Sequence, residues 1–316
     1  YRFFCTYKIN EMTYGKLIAF VLLLAACSGK KTKLRDPVNI PGTRVMMSLP
    51  KNYSVSKKFI GVEKGRITGI LIYDMSDGNY FGNAKTFDRK TMEAKGAKVF
   101  EYAQTTVDGY PAKFLYMQGD PSKAGMMLVF GDSTFSCSLM AAFIPGNDVL
   151  AQEIKDILMH VQYDKKIRVN PFDIAGFTLD STVSRFKFAS YNAGMYTYSV
   201  NGVKKQSYEN EPLVIVTQLP SEGVSTAKET AKAMLISYQQ KGFFPYQQPI
   251  ERNTSLNGYE AYEAILNGTS MGDTVLFYQL ATLKDEKIFV FQGIAKNEFG
   301  SNLEEFKRLG YSMRLK

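Results

Sequence analysis

The chain has 316 residues, 45% hydrophobic and 22% charged, with 3 Cys and a formal net charge of +9. Such proportions exclude collagenous, mucin-like and disordered chains and leave enough apolar side chains to bury a core. At roughly 100–200 residues per domain, the length fits two domains or one large β-rich domain.

Residues 17–26, Leu-Ile-Ala-Phe-Val-Leu-Leu-Leu-Ala-Ala, are uncharged, follow Lys16 and end at Cys27. A basic start, a short apolar run and small residues before a cut form the order of a secretory signal. A membrane-spanning helix needs roughly 20 apolar residues, and this run stops short of that at Ser28. Leu24-Ala25-Ala26-Cys27 resembles the cleavage box of bacterial lipoproteins at all four positions. The resemblance implies a signal peptide over 1–26, cleavage before Cys27 and acylation of its thiol. One acyl chain binds a bilayer only marginally, so two or three would make the anchor stable. Met12 is the expected start, which makes 1–11 a non-native extension.

Cys5 then lies in the discarded piece and Cys27 carries lipid. Cys137 is left alone, with no intramolecular disulfide to form. Its strand-like setting, Phe135-Ser136-Cys137-Ser138-Leu139, reads as a small buried hydrophobe. Residues 27–41 form a lipidated polar tether, in which Lys30, Lys31, Lys33 and Arg35 would lie against anionic head groups. The expected location is the cell envelope, anchored to the outer membrane and facing the periplasm, since Ser28 after the cysteine resembles outer-membrane sorting. An exported, anchored chain disfavours a nucleic-acid partner.

From residue 42 onward the first half shows strand patterns at 44–49 and 67–75, then a helical pattern ending at Gly96, placed as a C-cap. Val107-Asp108-Gly109-Tyr110 is a hairpin signal, followed by strands at 126–130 and 134–143. A helix over 148–161 puts Ile154, Ile157, Leu158 and Val161 on one face. Lys165, Lys166, Arg168 and Pro171 make a polar joint over 165–171.

The second half, 172–316, repeats this order. Strands are expected at 177–189 and 213–219, a helix ends at Gly242, and Leu256-Asn257-Gly258-Tyr259 repeats the hairpin. Strands at 274–283 and 287–294 lead to a helix carrying Leu303, Phe306 and Leu309 on one face. The expected fold is α+β: two tandem repeats, 42–164 and 172–316, each an antiparallel sheet flanked by helices. The order of strands, helix, Gly-Tyr hairpin, further strands and closing helix resembles the PsbP-like superfamily. That resemblance implies a binding or accessory role and carries over no catalytic residue. The second half departs from the pattern by an irregular insertion at 191–210.

Several constellations invite chemistry. His160 is the single histidine, which removes most Ser-His-Asp and Cys-His arrangements and multi-histidine metal sites; beside the apolar face in the last helical turn it reads as structural. Ser54-Val55-Ser56-Lys57 and Ser184-Arg185-Phe186-Lys187 fit Ser-x-x-Lys but lack the companion motifs of penicillin-recognising enzymes. Asp74-Met75-Ser76-Asp77-Gly78-Asn79 has the flavour of a calcium loop with Gly one place early, and reads as a turn leaving a strand. Glu304 and Glu305, adjacent on a helix, face different directions. Asn52, Asn253 and Asn267 begin sequons without expected meaning in a bacterial lipoprotein.

Tyr191, Tyr196, Tyr198 and Tyr208, amid Asn and Gly, form a candidate partner surface, with strand tyrosines packing on neighbours as the alternative. The expected function is therefore non-catalytic. A lipid-anchored envelope protein would bind a protein or envelope partner, across the groove between its domains, with no cofactor, no metal and no catalytic residue. Two alternatives stay open: a small-ligand or lipid carrier with an apolar cavity, and a Ser-Lys hydrolase.

Overall fold

The computed structural model describes residues 33–65, 68–205, 210–221 and 226–316. Cys5, Leu24, Ala25, Ala26, Cys27 and Tyr208 lie outside the described residues.

First-half strands are β1 (Val38–Asn39), β2 (Val45–Met47), β3 (Ser54–Val55), β4 (Gly61–Lys64), β5 (Thr68–Met75), β6 (Lys98–Val107), β7 (Tyr110–Asp120), β8 (Lys123–Gly131), β9 (Ser136–Phe143) and β10 (Gln162–Tyr163). Seven of them form an antiparallel sheet in the order β3-β4-β5-β9-β8-β7-β6. In β5, Thr-Gly-Ile-Leu-Ile-Tyr-Asp-Met, alternate side chains point to opposite faces. Ile70 and Ile72 are buried beneath the helix Asp148–Met159, where they share a core with Leu128, Leu139, Ile154 and Leu158. Asn147 starts that helix by accepting a hydrogen bond from the Leu150 N–H. On the opposite face, where one helix was expected, stand two short ones, Tyr80–Asn83 and Arg89–Ala94. Here Tyr80, Ala84 and Phe87 pack on Val99, Leu115 and Val129.

The second half adds β11 (Phe177–Thr178), β12 (Phe186–Asn192), β13 (Met195–Val200), β14 (Leu213–Pro220), β15 (Phe243–Pro245), β16 (Ile250–Leu256), β17 (Tyr259–Ser270), β18 (Asp273–Lys284), β19 (Lys287–Ala295) and β20 (Arg314–Leu315). Its sheet runs β12-β13-β14-β19-β18-β17, with β15 and β16 both paired to β17. The helix Phe299–Tyr311 covers one face and Ala227–Gln240 the other. A reciprocal capping box, Thr226 with Glu229, starts the latter. The fold is thus α+β, built mainly of antiparallel sheet with few helices. Among the described residues no helix is long and apolar enough to cross a membrane.

Both halves turn the same corner. Asp108-Gly109 and Asn257-Gly258 all have positive φ (51°, 79°, 53° and 83°), the conformation a two-residue hairpin asks of Asp, Asn and Gly. Each turn also catches the chain leaving the closing helix. Tyr163 N–H donates to Asp108 Oδ2 at 2.7 Å, and Leu315 N–H donates to Asn257 Oδ1 at 3.0 Å. Beyond these anchors β10 pairs with β2, and β20 with β11.

Two expectations are corrected. The strand expected over 177–189 is broken into β11, a 3-10 turn Ser181–Val183 capped by Asp180, and β12. The first part of the irregular insertion, 191–200, is the β12–β13 hairpin, closed by Ala193 and Gly194 at φ 49° and 84°.

Candidate functional site: the seam between the sheets

The two halves meet where the turn at Gly42 abuts Ile174. A Cβ on Gly42 would sit 2.2 Å from Ile174 Cδ1, the movable end of that side chain, and the residue has φ +80°, so it is the backbone that demands glycine there. Lys58 pairs with Glu286 at 2.6 Å, and Lys204 with Asp77 at 2.6 Å, each bridging the halves. Three cavities lie along this seam.

The first, of about 310 Å³, is lined by Arg44, Asp74, Asp77, Ser190, Tyr191 and Lys204. Asp74 leaves the end of β5 with its carboxylate almost wholly buried. Its Oδ2 accepts from Arg44 N–H at 2.8 Å and lies 3.4 Å from Arg44 Nη1, while Oδ1 accepts from Tyr163 O–H at 2.7 Å. Burial, then the Asp74 charge, push the Tyr163 phenol upward; burial likewise raises Tyr191. The carboxylate is thereby committed to structure, as buried charges must be.

The second cavity, about 250 Å³, is apolar, with Phe59, Leu71 and Tyr73 from the first half facing Met195, Leu219 and Pro220 from the second. The third, about 260 Å³, is mixed, with Lys57, Asp173, Gln218 and Lys287 beside Val55, Phe59 and Ile174. Gln218 Oε1 accepts from Gly176 N–H at 2.9 Å, which holds the segment crossing between the halves against β14.

The residues singled out from the sequence are dispersed. Tyr196 and Tyr198 are 2% and 3% exposed, inside the core under Phe299–Tyr311, so they are not a partner surface; strand alternation, not loop display, sets their place. Tyr196 O–H donates to Pro171 O at 2.8 Å, and the Tyr191 ring packs tilted at its side, 4.9 Å between centroids, while lining the first cavity. Cys137 is fully buried in β9, and burial and then Asp74 push its thiol well up. His160 caps the helix it ends, its Nδ1 2.7 Å from Asp156 O. Lys187 Nζ donates to the carbonyls of Ser181 and Ser184, and the Ser184 hydroxyl accepts from Phe186 N–H, so this Ser-x-x-Lys serves a turn. Ser54 sits on an exposed edge strand. Asp74 and Asp77 separate to different cations, Arg44 and Lys204. Among the described residues no three His, Cys, Asp or Glu side chains gather as metal ligands.

Phe59, Leu71, Tyr73 and Met195 were not singled out from the sequence. The available signal was that β5 is apolar on both faces: Ile70 and Ile72 serve the core, which leaves Leu71 and Tyr73 to be explained.

No family model matches the chain. No curated protein matches it either. Among solved structures it is similar to a Pseudomonas aeruginosa protein of unknown function, at 9% identity over 40% of this chain and 87% of that one, TM-score 0.31. It is similar to the cyanobacterial PsbP protein (CyanoP) of Synechocystis, at 14% identity over 48% of this chain and 100% of that one, TM-score 0.29. It is also similar to TplEi, an immunity protein of T6SS from Pseudomonas aeruginosa in complex with a peptide, at 11% identity over 89% and 98%, TM-score 0.30. Likeness of that degree carries no argument about what this chain does.

Proposed function

We propose that the chain is a lipid-anchored protein of the bacterial cell envelope whose seam binds a protein partner without catalysing a reaction on it. The observation that carries this reading is the apolar cavity in which Phe59, Leu71 and Tyr73 face Met195 and Leu219. Partly desolvated aromatic and Met side chains in a concave surface are what protein interfaces use as anchors. The carboxylate beside it, Asp74, is locked to Arg44 and Tyr163, an arrangement suited to holding shape. A carrier of small apolar ligands is not favoured: about 250 Å³ falls below the ~300–1,000 Å³ usual for such sites.

In this reading Cys27 bears the anchor and the tether is shorter than the 27–41 expected from the sequence, because Arg35 donates to the carbonyls of Leu49, Pro50 and Tyr53, β1 pairs with β2 and Ile40 is buried in the first core; 42–164, with that strand, and 172–316 are duplicated PsbP-like units joined by 165–171. The matching strand orders and the shared turn-to-strand hydrogen bonds support the duplication. Leu24, Ala25 and Ala26 direct cleavage, and the anchor holds the protein to the outer membrane on its periplasmic side.

The test is a photoreactive amino acid at Ser190 or Met195, in the seam, and at Glu304, on the exposed side of a remote helix. In membranes of the producing bacterium, one protein should be captured from the seam positions and not from Glu304. Equal capture from all three, or none, would overturn the reading. Metabolic labelling with an alkyne fatty acid checks the anchor: label should disappear in Cys27→Ala, and its persistence would remove the lipidation claim.

A further inference from the structure

Counted from the shared hairpin turns, the two sheets can be matched residue for residue. Across the first sheet one row reads Leu115, Met127, Met140, Leu71. The row at the same register of the second reads Ala264, Gln279, Gln292, Ile215. In the second half this face lies under the 14-residue helix Ala227–Gln240. Gln279 and Gln292 are 0% and 1% exposed there, and Tyr238 O–H from the helix reaches Gln292 Oε1 at 3.1 Å.

The first half inverts this arrangement. Its helices at that place have only four and six residues, and they cover the β6–β8 side through Tyr80, Ala84 and Phe87. The β5–β9 side is left open: Met140 is 38% exposed, and Leu71 and Tyr73 are half-buried. So the covered face carries amides and the open face carries thioethers, the reverse of what solvent would select. The open face is also hollowed. Gly125 and Ala142, opposite one another, stand at the register of Phe277 and Ile294. A trough floored by Gly and Ala, with flexible Met beside it, is shaped to receive an apolar ridge. It runs into the apolar seam cavity through Leu71 and Tyr73. The helical stretch on its other side presents Lys85, Lys90 and Lys95 to solvent.

Resting on the protein-binding reading above, we infer that this face of the first sheet is the docking site for an amphipathic helix of the partner protein. That helix would be about as long as Ala227–Gln240, with a Leu, Met or Ala stripe at i, i+3, i+4 and i+7 and an acidic flank toward the lysines. The precedent is intramolecular, since the chain itself covers the same register of its other sheet with such a helix.

The experiment uses the full chain in membranes of the producing bacterium, with a photoreactive amino acid at the exposed Ala142 and the linked peptide identified by mass spectrometry. The expected adduct joins one protein through a segment with that stripe. Met140→Glu, a charge set in the trough, should lower the yield about tenfold or more, as loss of an interface anchor does. Met271→Glu, at a 95% exposed site outside the trough, should leave it unchanged. If Met140→Glu loses the native circular dichroism, Met140→Gln, which installs the residue found at that register in the second half, should still lower the yield. An adduct with a second copy of this chain, with lipid alone or with a segment lacking the stripe, or a yield indifferent to both Met140 variants, would overturn the inference. Capture from Ser190 or Met195 without capture from Ala142 would overturn it while leaving the protein-binding reading in place. Capture from none of the three would overturn both.

Discussion

Glu263 shows what a single buried carboxylate requires. It lies in β17, 2% exposed, with its Oε1 accepting from Tyr278 O–H at 2.8 Å and its other oxygen bound to Arg252 Nε. Arg252 itself donates to Tyr311 O–H at 3.1 Å, so the charge is passed outward to a side chain that water can reach. Tyr278→Phe keeps the ring in the core and removes only the phenolic donor. Because hydrogen bonds to charged groups contribute about 1.5–3 kcal/mol, the variant should lose that much stability, read as a lower urea midpoint at unchanged slope. A midpoint equal to that of the parent would mean that water satisfies the carboxylate instead. Asp132 makes the complementary case at the surface. Its carboxylate is held down to about 2, chiefly by Lys165 and then by Thr134, against an ordinary value of 3.8. A folded value below the unfolded one stabilises the native state above pH 3.8 and ceases to do so as pH falls through about 2. The stability difference between the parent and Asp132→Asn should therefore be constant above about pH 5 and shrink across that window. A difference independent of pH would remove the assignment.

Among the elements, the two Gly-containing hairpins tie sheet to closing helix. Asn257 combines a left-handed backbone, φ 53°, with two side-chain bonds: Nδ2 to Met313 O and Oδ1 from Leu315 N–H, both at 3.0 Å. Asn257→Ala should cost about 2–3 kcal/mol, from αL strain of about 1 and two hydrogen bonds of about 1 or less each. Asn257→Gly, which relieves the strain and loses only the bonds, should cost about 1–2 kcal/mol, less than Asn257→Ala by the strain. Equal losses in the two variants, measured by denaturant midpoints, would refute the division. These turns, with the helices they serve, were legible in the sequence because few residue types tolerate the backbone they need. The β12–β13 hairpin was legible only through the alternative of strand tyrosines, Tyr196 and Tyr198 alternating with Thr197 and Ser199, because abundant Tyr, Asn and Gly also describe a loop. Paired short helices in place of one longer helix were equally hidden: Arg89–Ala94 makes too few turns to display a periodic face. The seam was least legible of all. Periodicity reports how a segment faces its own sheet, whereas Leu71 and Met195 come to line one cavity only after both halves have folded.

Over the whole molecule, the cores divide cleanly. Ile40 to Tyr163 supply the hydrophobic clusters of the first half, and Ala175 to Leu315 those of the second. What joins the halves among the described residues is thinner: the Lys58–Glu286 and Lys204–Asp77 ion pairs with largely exposed side chains, the Gly42–Ile174 contact, the approach of β12 to β5 and the side chains that line three solvent-open cavities. Exposed ion pairs contribute only about 0–1 kcal/mol, so neither pair can hold the seam shut alone. The chain between the halves divides its loyalties. Lys165 pairs with Asp132 of the first half, Lys166 N–H donates to Asp164 Oδ1 of the same half and Pro171 O accepts from Tyr196 of the second, which leaves the exposed Arg168 between the two anchorages. Limited trypsin digestion should therefore cut between the halves first at Arg168, where backbone is exposed and few contacts cross. Two persistent fragments should result, each retaining the β-sheet circular dichroism of its own core. Continued rapid digestion of one fragment after this cut would show that its sheet depends on the other across the seam, and the seam would then be a structural interface rather than an open binding surface.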